Sequence, residues 1–317
     1  MIIGELTALL TAILWAVSSY FFASATVKVG SVNVNFARLV IAMILFVLTI
    51  FIFQIPLNIS SYQFWMLVLS GIAGLVIGDS LFFKSLEFLS ARISILVTSF
   101  SPAISAILAF IFLSEKLSLL DIFGMAIALT GIVLVVLRKE ENTGPAKSKK
   151  GIRIGVLLAF LYTLGQSTGL IFAKAAFKES EVNSIVATAI RILPAIVLLF
   201  LYIIFKEKSF KSFKLFRNEK RAYKDIIIAA VLSAYIGMVL MFIAVTQTNI
   251  AVASTIIASI PVIQLIISHY FFKEKLTWRS VAGAFMTVAG MAILFLQKKL
   301  NGKIILFQRQ LSRAILC

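Results

Sequence analysis

Residues 101–117 read SPAISAILAFIFLSEKL, and residues 260–276 read IPVIQLIISHYFFKEKL. Each apolar run carries a proline at its second position, Pro102 or Pro261, and thirteen residues later the triplet Glu-Lys-Leu. The offset of 159 residues also carries Gly78 onto Gly237, Gly124 onto Gly283 and Gly131 onto Gly290. Nearer the N-terminus the offset is smaller. Phe22-Ala23 and Lys28 match Phe172-Ala173 and Lys178 at 150, Val32-Asn33 matches Val182-Asn183 at 150, and Arg38 pairs with Arg191 at 153. The chain is therefore two tandem copies of one unit.

That unit belongs in a membrane. Of 317 residues, 61% are hydrophobic and only 14% charged, and the mean hydropathy is +1.06. Such a composition is too apolar for a soluble domain. Thirty Lys and Arg against thirteen Asp and Glu give +17. Nucleic acid is excluded as the reason, because the basic residues lie in short loops and no soluble domain exists to present them. Basic loops beside apolar runs fit an anionic membrane surface instead. The single cysteine, Cys317, ends the chain, so no internal disulfide and no cysteine metal cluster is available.

Ten runs are long enough to cross a hydrocarbon core of roughly 30 Å. They lie near 3–24, 34–53, 63–83, 92–113, 119–137, 153–174, 184–205, 226–246, 250–272 and 278–296. The first, with Ala23-Ser24-Ala25 after it, has the outline of a signal peptide. It lacks a basic leader and recurs as the sixth run, so it is read as a helix. Backbone groups in lipid must bond within their own segment, and the runs are too long for barrel strands. The fold expected is all-α and polytopic. Residues 1–138 and 152–297 form the two five-helix repeats, 139–151 a basic linker and 298–317 a tail, surface-bound or solvated. Five spans is an odd number, so the second repeat must enter from the opposite face. Loops one, three, five, seven and nine carry 20 Lys and Arg and the other face 7. The odd loops are thus placed in the cytoplasm and both termini outside, against the five basic residues of the tail.

Ten spans in two halves, each with Pro, then Glu-Lys-Leu, then a Gly-containing span, resemble the EamA-type branch of the drug/metabolite transporter superfamily. The residues that carry the resemblance are Ser101-Pro102, Glu115-Lys116-Leu117, Gly124 and Gly131, with Pro261, Glu274-Lys275-Leu276, Gly283 and Gly290. It implies secondary transport of a small solute across the cell membrane, often outward. The implied substrates are amino acids, other metabolites, nucleotide sugars or drugs. The halves are not chemically equal: Ser101 faces Ile260 in the alignment, and Asp79 faces Met238.

Asp79 is the one carboxylate well inside a span, where a central charge costs about 2.5–3.5 kcal/mol on insertion scales. Two readings compete for it: contact with a substrate amine or a coupling proton, and a structural ion pair with Arg38, Arg191 or Lys174. Arg38 and Arg191 occupy the same place in the two copies, and a guanidinium grips a carboxylate with two parallel bonds. Three cations against one acid favour a substrate bearing carboxylate or phosphate. Arg38 and Lys174, near span ends, are expected to snorkel to the interface. Pro102 and Pro261 mark a midplane site, because matched helix breaks free carbonyls that lipid cannot satisfy. The competing reading is a packing kink. Ser99, Ser101, Ser254 and Thr255 lie beside them. Trp15 and Tyr20 with Ser18 in span one, and Tyr162 with Gln166 in span six, place aromatic and polar groups in equivalent helices. Glu115 and Glu274 are read as ordering their helix–helix turns, and His269 as interfacial.

Other classes find less support. Gly165-Gln166-Ser167-Thr168-Gly169 matches G-x-S-x-G, but that pattern needs a strand–turn–helix and lies here inside an apolar helix. It is read as G-x-x-x-G packing. No H-E-x-x-H, phosphate-binding glycine loop or Cys/His cluster occurs, so no cofactor or metal is implied and no ATP-driven step. The partners implied are a small-molecule substrate, the lipid bilayer and protons. The leading function is export of amino acids or related metabolites by alternating access. Organic-cation efflux, uptake, a channel and a membrane enzyme stand behind it.

Overall fold

The computed structural model describes residues 2–88, 97–98, 100–115, 117–136, 149–207, 220–272 and 277–294. Every element among them is helical. The order is α1 (Ile3–Val29), α2 (Ser31–Ile52), α3 (Ser61–Gly71), a π-helical turn π1 (Ile72–Gly78) and α4 (Asp79–Phe88). Then come α5 (Ser101–Leu113), α6 (Leu119–Val136), α7 (Lys149–Glu179) and α8 (Ser184–Glu207). The chain continues as α9 (Lys220–Ala229), π2 (Ala230–Gly237), α10 (Met238–Gln247), α11 (Ile250–Ile257), α12 (Ile260–Phe272) and α13 (Trp278–Leu294). Seven helical stretches are long and apolar enough to span a membrane, and Ser101–Leu113, Leu119–Val135 and Trp278–Leu294 are shorter apolar helices. These are the ten expected spans. Several of the helices that open spans after short turns begin on side chains placed for capping. Ser60 and Gln63 form a reciprocal capping box for α3. Ser118 accepts the amide of Asp121 at 3.1 Å, and its repeat counterpart Thr277 accepts that of Ser280 at 3.3 Å.

The halves pair about a pseudo-twofold axis. The first helix of each half packs on the third span of the other: α1 lies against α9, π2 and α10, and α7 against α3, π1 and α4. Spans two and seven (α2, α8) pack together, as do four and nine (α5, α11). Repeat-equivalent spans run antiparallel. Phe36, early in α2, stacks on Phe200, late in α8, at 6.0 Å. Gly124 and Gly131 of α6 abut Gly290 and Gly283 of α13 in reversed order. Antiparallel equivalents are what inversion requires, so the second half is upside down relative to the first.

Small residues make these crossings possible, because lipid gives no hydrophobic incentive for helices to associate and close backbone packing must do so. Ala8, Ala12 and Ala16 form a fully buried stripe on α1. On α7, Gly165 lies on Gly78 and the Ala73 carbonyl, and Gly169 on Gly74 and the Ser70 carbonyl. The G-x-S-x-G stretch is thus a packing motif crossed with Gly74–Gly78, and the Ser70 hydroxyl bonds the Gly169 carbonyl at 2.6 Å. Large apolar side chains such as Phe51, Phe112 and Phe285 point outward.

The prolines depart from expectation. Neither Pro102 nor Pro261 interrupts a continuous helix. Span nine breaks at residues 258–259 and restarts at Ile260, and span four restarts at Ser101. Each proline therefore sits in the first turn of a new helix, where its missing amide has no bond to lose. In span nine the Ser259 hydroxyl bonds the Ile256 carbonyl at 2.6 Å. The proline that does lie inside a helix is Pro194 of α8, which withdraws the amide that would bond the Ile190 carbonyl.

Candidate functional site

Asp79 is the first residue after π1. One carboxylate oxygen lies 2.6 Å from Nη2 of Arg38, and the other accepts from Nε2 of Gln166 at 2.8 Å. Arg38 is held in turn by Asn35, one turn earlier on α2, which accepts from Nε at 2.8 Å. Its guanidinium sits over the Phe22 ring, 5.6 Å from the centroid. Arg38 therefore does not snorkel. The carboxylate draws it inward, since a lone intramembrane acid is costlier than a paired one.

The same Gln166 nitrogen uses its second hydrogen on the Gly74 carbonyl, 2.9 Å away. That carbonyl already takes the Asp79 amide across the wide turn of π1, so Gln166 fills its remaining lone pair. The other half repeats this. The Ser233 carbonyl takes the Met238 amide across π2, and Trp15 Nε1 donates to it at 3.3 Å. Gly74 and Ser233 differ by the repeat offset of 159. Gly78 and Gly237 leave space for the two donors: a side chain on Gly78 would meet Gln166, and one on Gly237 would meet the Trp15 indole. The asymmetry is chemical. Gln166 has two hydrogens and serves a carbonyl and a carboxylate. Trp15 has one, and in its half Met238 needs none.

Arg191, on α8, is 2% exposed. A side chain on Gly74 would meet its Nη2 at 2.8 Å and Gln166 Oε1 at 3.3 Å. The guanidinium carbon is 5.3 Å from the Phe242 ring centroid, and Nε is buried without a hydrogen-bond partner. Arg191 makes no ion pair among the described residues.

Of the remaining candidates, Tyr162 lies within electrostatic reach of Asp79 and Arg38, and the others fall outside this cluster. Ser254 and Ser101 join a hydroxyl chain through Ser105, which sequence reasoning did not single out, and Ser167, which it named only within the glycine packing motif. Ser254 Oγ is 3.4 Å from Ser105, Ser105 is 3.0 Å from Ser167, and Ser167 is 3.5 Å from the Ser101 carbonyl. Pro102 is buried at the start of α5, and Pro261 is half-buried. The Tyr162 ring lies 4.9 Å from Phe82. Tyr20 donates to the Gln264 carbonyl at 3.1 Å, and Gln264 donates to Ser19 at 2.9 Å, which ties α1 to α12. Ser18 and Thr255 bond carbonyls of their own helices. Ser99, Glu274 and the tail lie outside the described residues.

Lys174 also corrects its reading. It is 8% exposed and pairs with Glu115 at 2.7 Å, while donating to the Thr248 carbonyl at 2.7 Å. Glu115 accepts the Ile250 amide at 3.2 Å, and Thr248 donates to Glu5 at 3.0 Å. Glu115 thus does more than order its own turn: it ties the first half to the second at the membrane face that carries the even loops. Sequence reasoning missed Phe242, Pro194, Asn35 and Ser105. Only Asn35 left a signal, its spacing of three from Arg38.

A family model described as the EamA-like transporter family matches residues 2–137 and again 153–296. A protein of Archaeoglobus fulgidus described as an uncharacterized transporter is 22% identical over 207 residues, which cover 65% of this chain and 68% of that protein. A crystal structure titled only as that of a protein superposes with a TM-score of 0.75 at 16% identity, covering 92% of this chain and 97% of the other. That likeness speaks to the fold.

Proposed function

The chain belongs to the EamA-like transporter family, and from that premise we propose a secondary transporter of the cell membrane that exports amino acids or related small metabolites. It is a multi-pass membrane transporter of small molecules. The finer reading is alternating access: the inverted halves rock about the Asp79 cluster, exposing it first to one face and then to the other. The observation that carries this is the composition of the cluster. Asp79 and Arg38 come from the first half, and Gln166 and Arg191 from the second. Any rocking of the halves must rearrange these contacts, which couples solute binding to motion. The odd loops face the cytoplasm on this reading, so the Glu115–Lys174 face is external. Asp79 is the group to carry a coupling proton, taken up as the Gln166 donor moves away and released as it returns. Trp15, Tyr20, Tyr162, Ser101, Pro102, Ser254 and Pro261 complete the pathway at the breaks and between the first helices.

The test is uptake of a solute panel into proteoliposomes with and without an imposed pH gradient. Saturable flux that the gradient concentrates is the expected result, and D79N should keep the protein folded while removing the gradient's effect. Unsaturable, uncoupled flux would instead make the protein a channel. Gradient dependence that survives D79N takes the proton role from Asp79.

A further inference from the structure

We infer that Arg191 holds an oxyanion of the transported solute, in the role that Asp79 plays for Arg38. The inference rests on the transport reading and names the substrate class. Arg38 and Arg191 are the same position of the repeat. In the first half the guanidinium meets the carboxylate that directly follows the π turn, at 2.6 Å. In the second half the residue directly following the π turn is Met238. The second half therefore supplies the arginine of the pair without the acid.

The surroundings of Arg191 agree. It is 2% exposed, its Nε has no hydrogen-bond partner among the described residues, and around it lie the face of Phe242, one turn beyond Met238, and Gly74, with Asp79 within electrostatic reach but not paired with it. A ring face attracts a cation but does not neutralise it. Lys174 no longer counts toward the surplus, because Glu115 pairs with it. The cluster then holds two guanidiniums and one carboxylate. A carboxylate or phosphate ester of the solute balances that charge, and a guanidinium fork recognises either through two parallel bonds. Gln166 bonds Asp79 and, like Arg191, borders the bare Gly74, so on this proposal it stands between the internal ion pair and the solute's anion. An amine without an acidic group would add to the positive charge, which sets organic-cation efflux aside.

Two experiments on the detergent-purified full chain decide it. The first needs no ligand. M238D, with M238E as a second probe should the shorter acid disrupt packing, is compared with the neutral M238N and M238Q. The acids are expected to unfold at least about 2 °C above their amides, and that gap should vanish in an R191Q background. The second measures thermal protection by leucine, leucinamide, 4-methylpentanoate, 3-methylbutylamine and glycerol 3-phosphate. Protection should need the oxyanion and disappear in R191Q and M238D; the phosphate arm separates carboxylate from phosphate recognition. Equal unfolding of acid and amide variants overturns the inference whatever the panel does. So does protection by 3-methylbutylamine that survives R191Q. Absence of saturable flux in liposomes would remove the transport reading and leave the M238D comparison standing.

Discussion

Asp79 shows how one side chain serves charge and backbone at once. Its pair with Arg38 is mostly buried, with side-chain exposures of 16% and 11% for arginine and aspartate. Removing one partner of such a pair strands the other, at a cost of about 3–5 kcal/mol, whereas removing both is often far milder. D79N and R38Q should each lower the unfolding temperature in detergent, and R38M/D79M should lower it by less than the two single losses combined. An additive double variant would show that the pair is not coupled. Gln166 and Trp15 offer a matched comparison. W15F loses one hydrogen bond, worth about 0.5–1.5 kcal/mol. Q166L loses two and leaves a buried carboxylate oxygen bare, about 1–3 kcal/mol for that group alone. Q166L should therefore be the more destabilising in chemical denaturation, and equal effects would contradict the two-hydrogen account.

Among the elements, the π turns and the glycine crossings set the geometry. A π turn is an inserted residue that a helix tolerates only where its displaced carbonyl finds a donor, and such turns gather at functional sites. Here π1 and π2 each find theirs on the first helix of the opposite half. The contact between α6 and α13 is closer still: a methyl on Gly131 would collide with the Gly283 carbonyl and the Thr287 backbone, and one on Gly283 with the Gly131 carbonyl. Backbone does not yield as a side chain end does. Gly131→Ala and Gly283→Ala should each cost about 1–3 kcal/mol by overpacking, read as a lower unfolding temperature. Full tolerance at both sites would mean that α6 and α13 do not touch.

The whole molecule adds direction. Inversion predicts that single cysteines at Lys28, in the last turn of the first helix, and at Asn183, just after the first helix of the second half, react with an impermeant maleimide from opposite sides of the membrane once Cys317 is replaced. Labelling from one side would refute the inverted pair. The Glu5–Thr248–Lys174–Glu115 network lies on the even-loop face. At the offset of 150 the counterpart of Lys174 is Ser24, whose hydroxyl bonds Asp225 at 2.8 Å, so the equivalent position of the other half carries no lysine. K174A should therefore shift the resting population toward opening on the even-loop face, seen as several-fold faster maleimide labelling of Thr248→Cys. An unchanged rate would show that the network does not hold that face shut.

The sequence by itself determined the number of spans, the duplication, the inversion and the interior position of Asp79, because each follows from hydropathy, parity or the cost of charge in lipid. Those quantities are local and add along the chain. Partnership does not, which is why Arg38 and Lys174 read as interfacial residues: their distance along the helix from water was visible, and the acids waiting beside them were not. Tertiary structure alone decided that Asp79 and Glu115 capture them, that Arg191 forms no ion pair among the described residues, and that Gln166 and Trp15 serve matching carbonyls across the two halves. Each of those outcomes depends on which helices come within 3 Å, and only the folded chain fixes that.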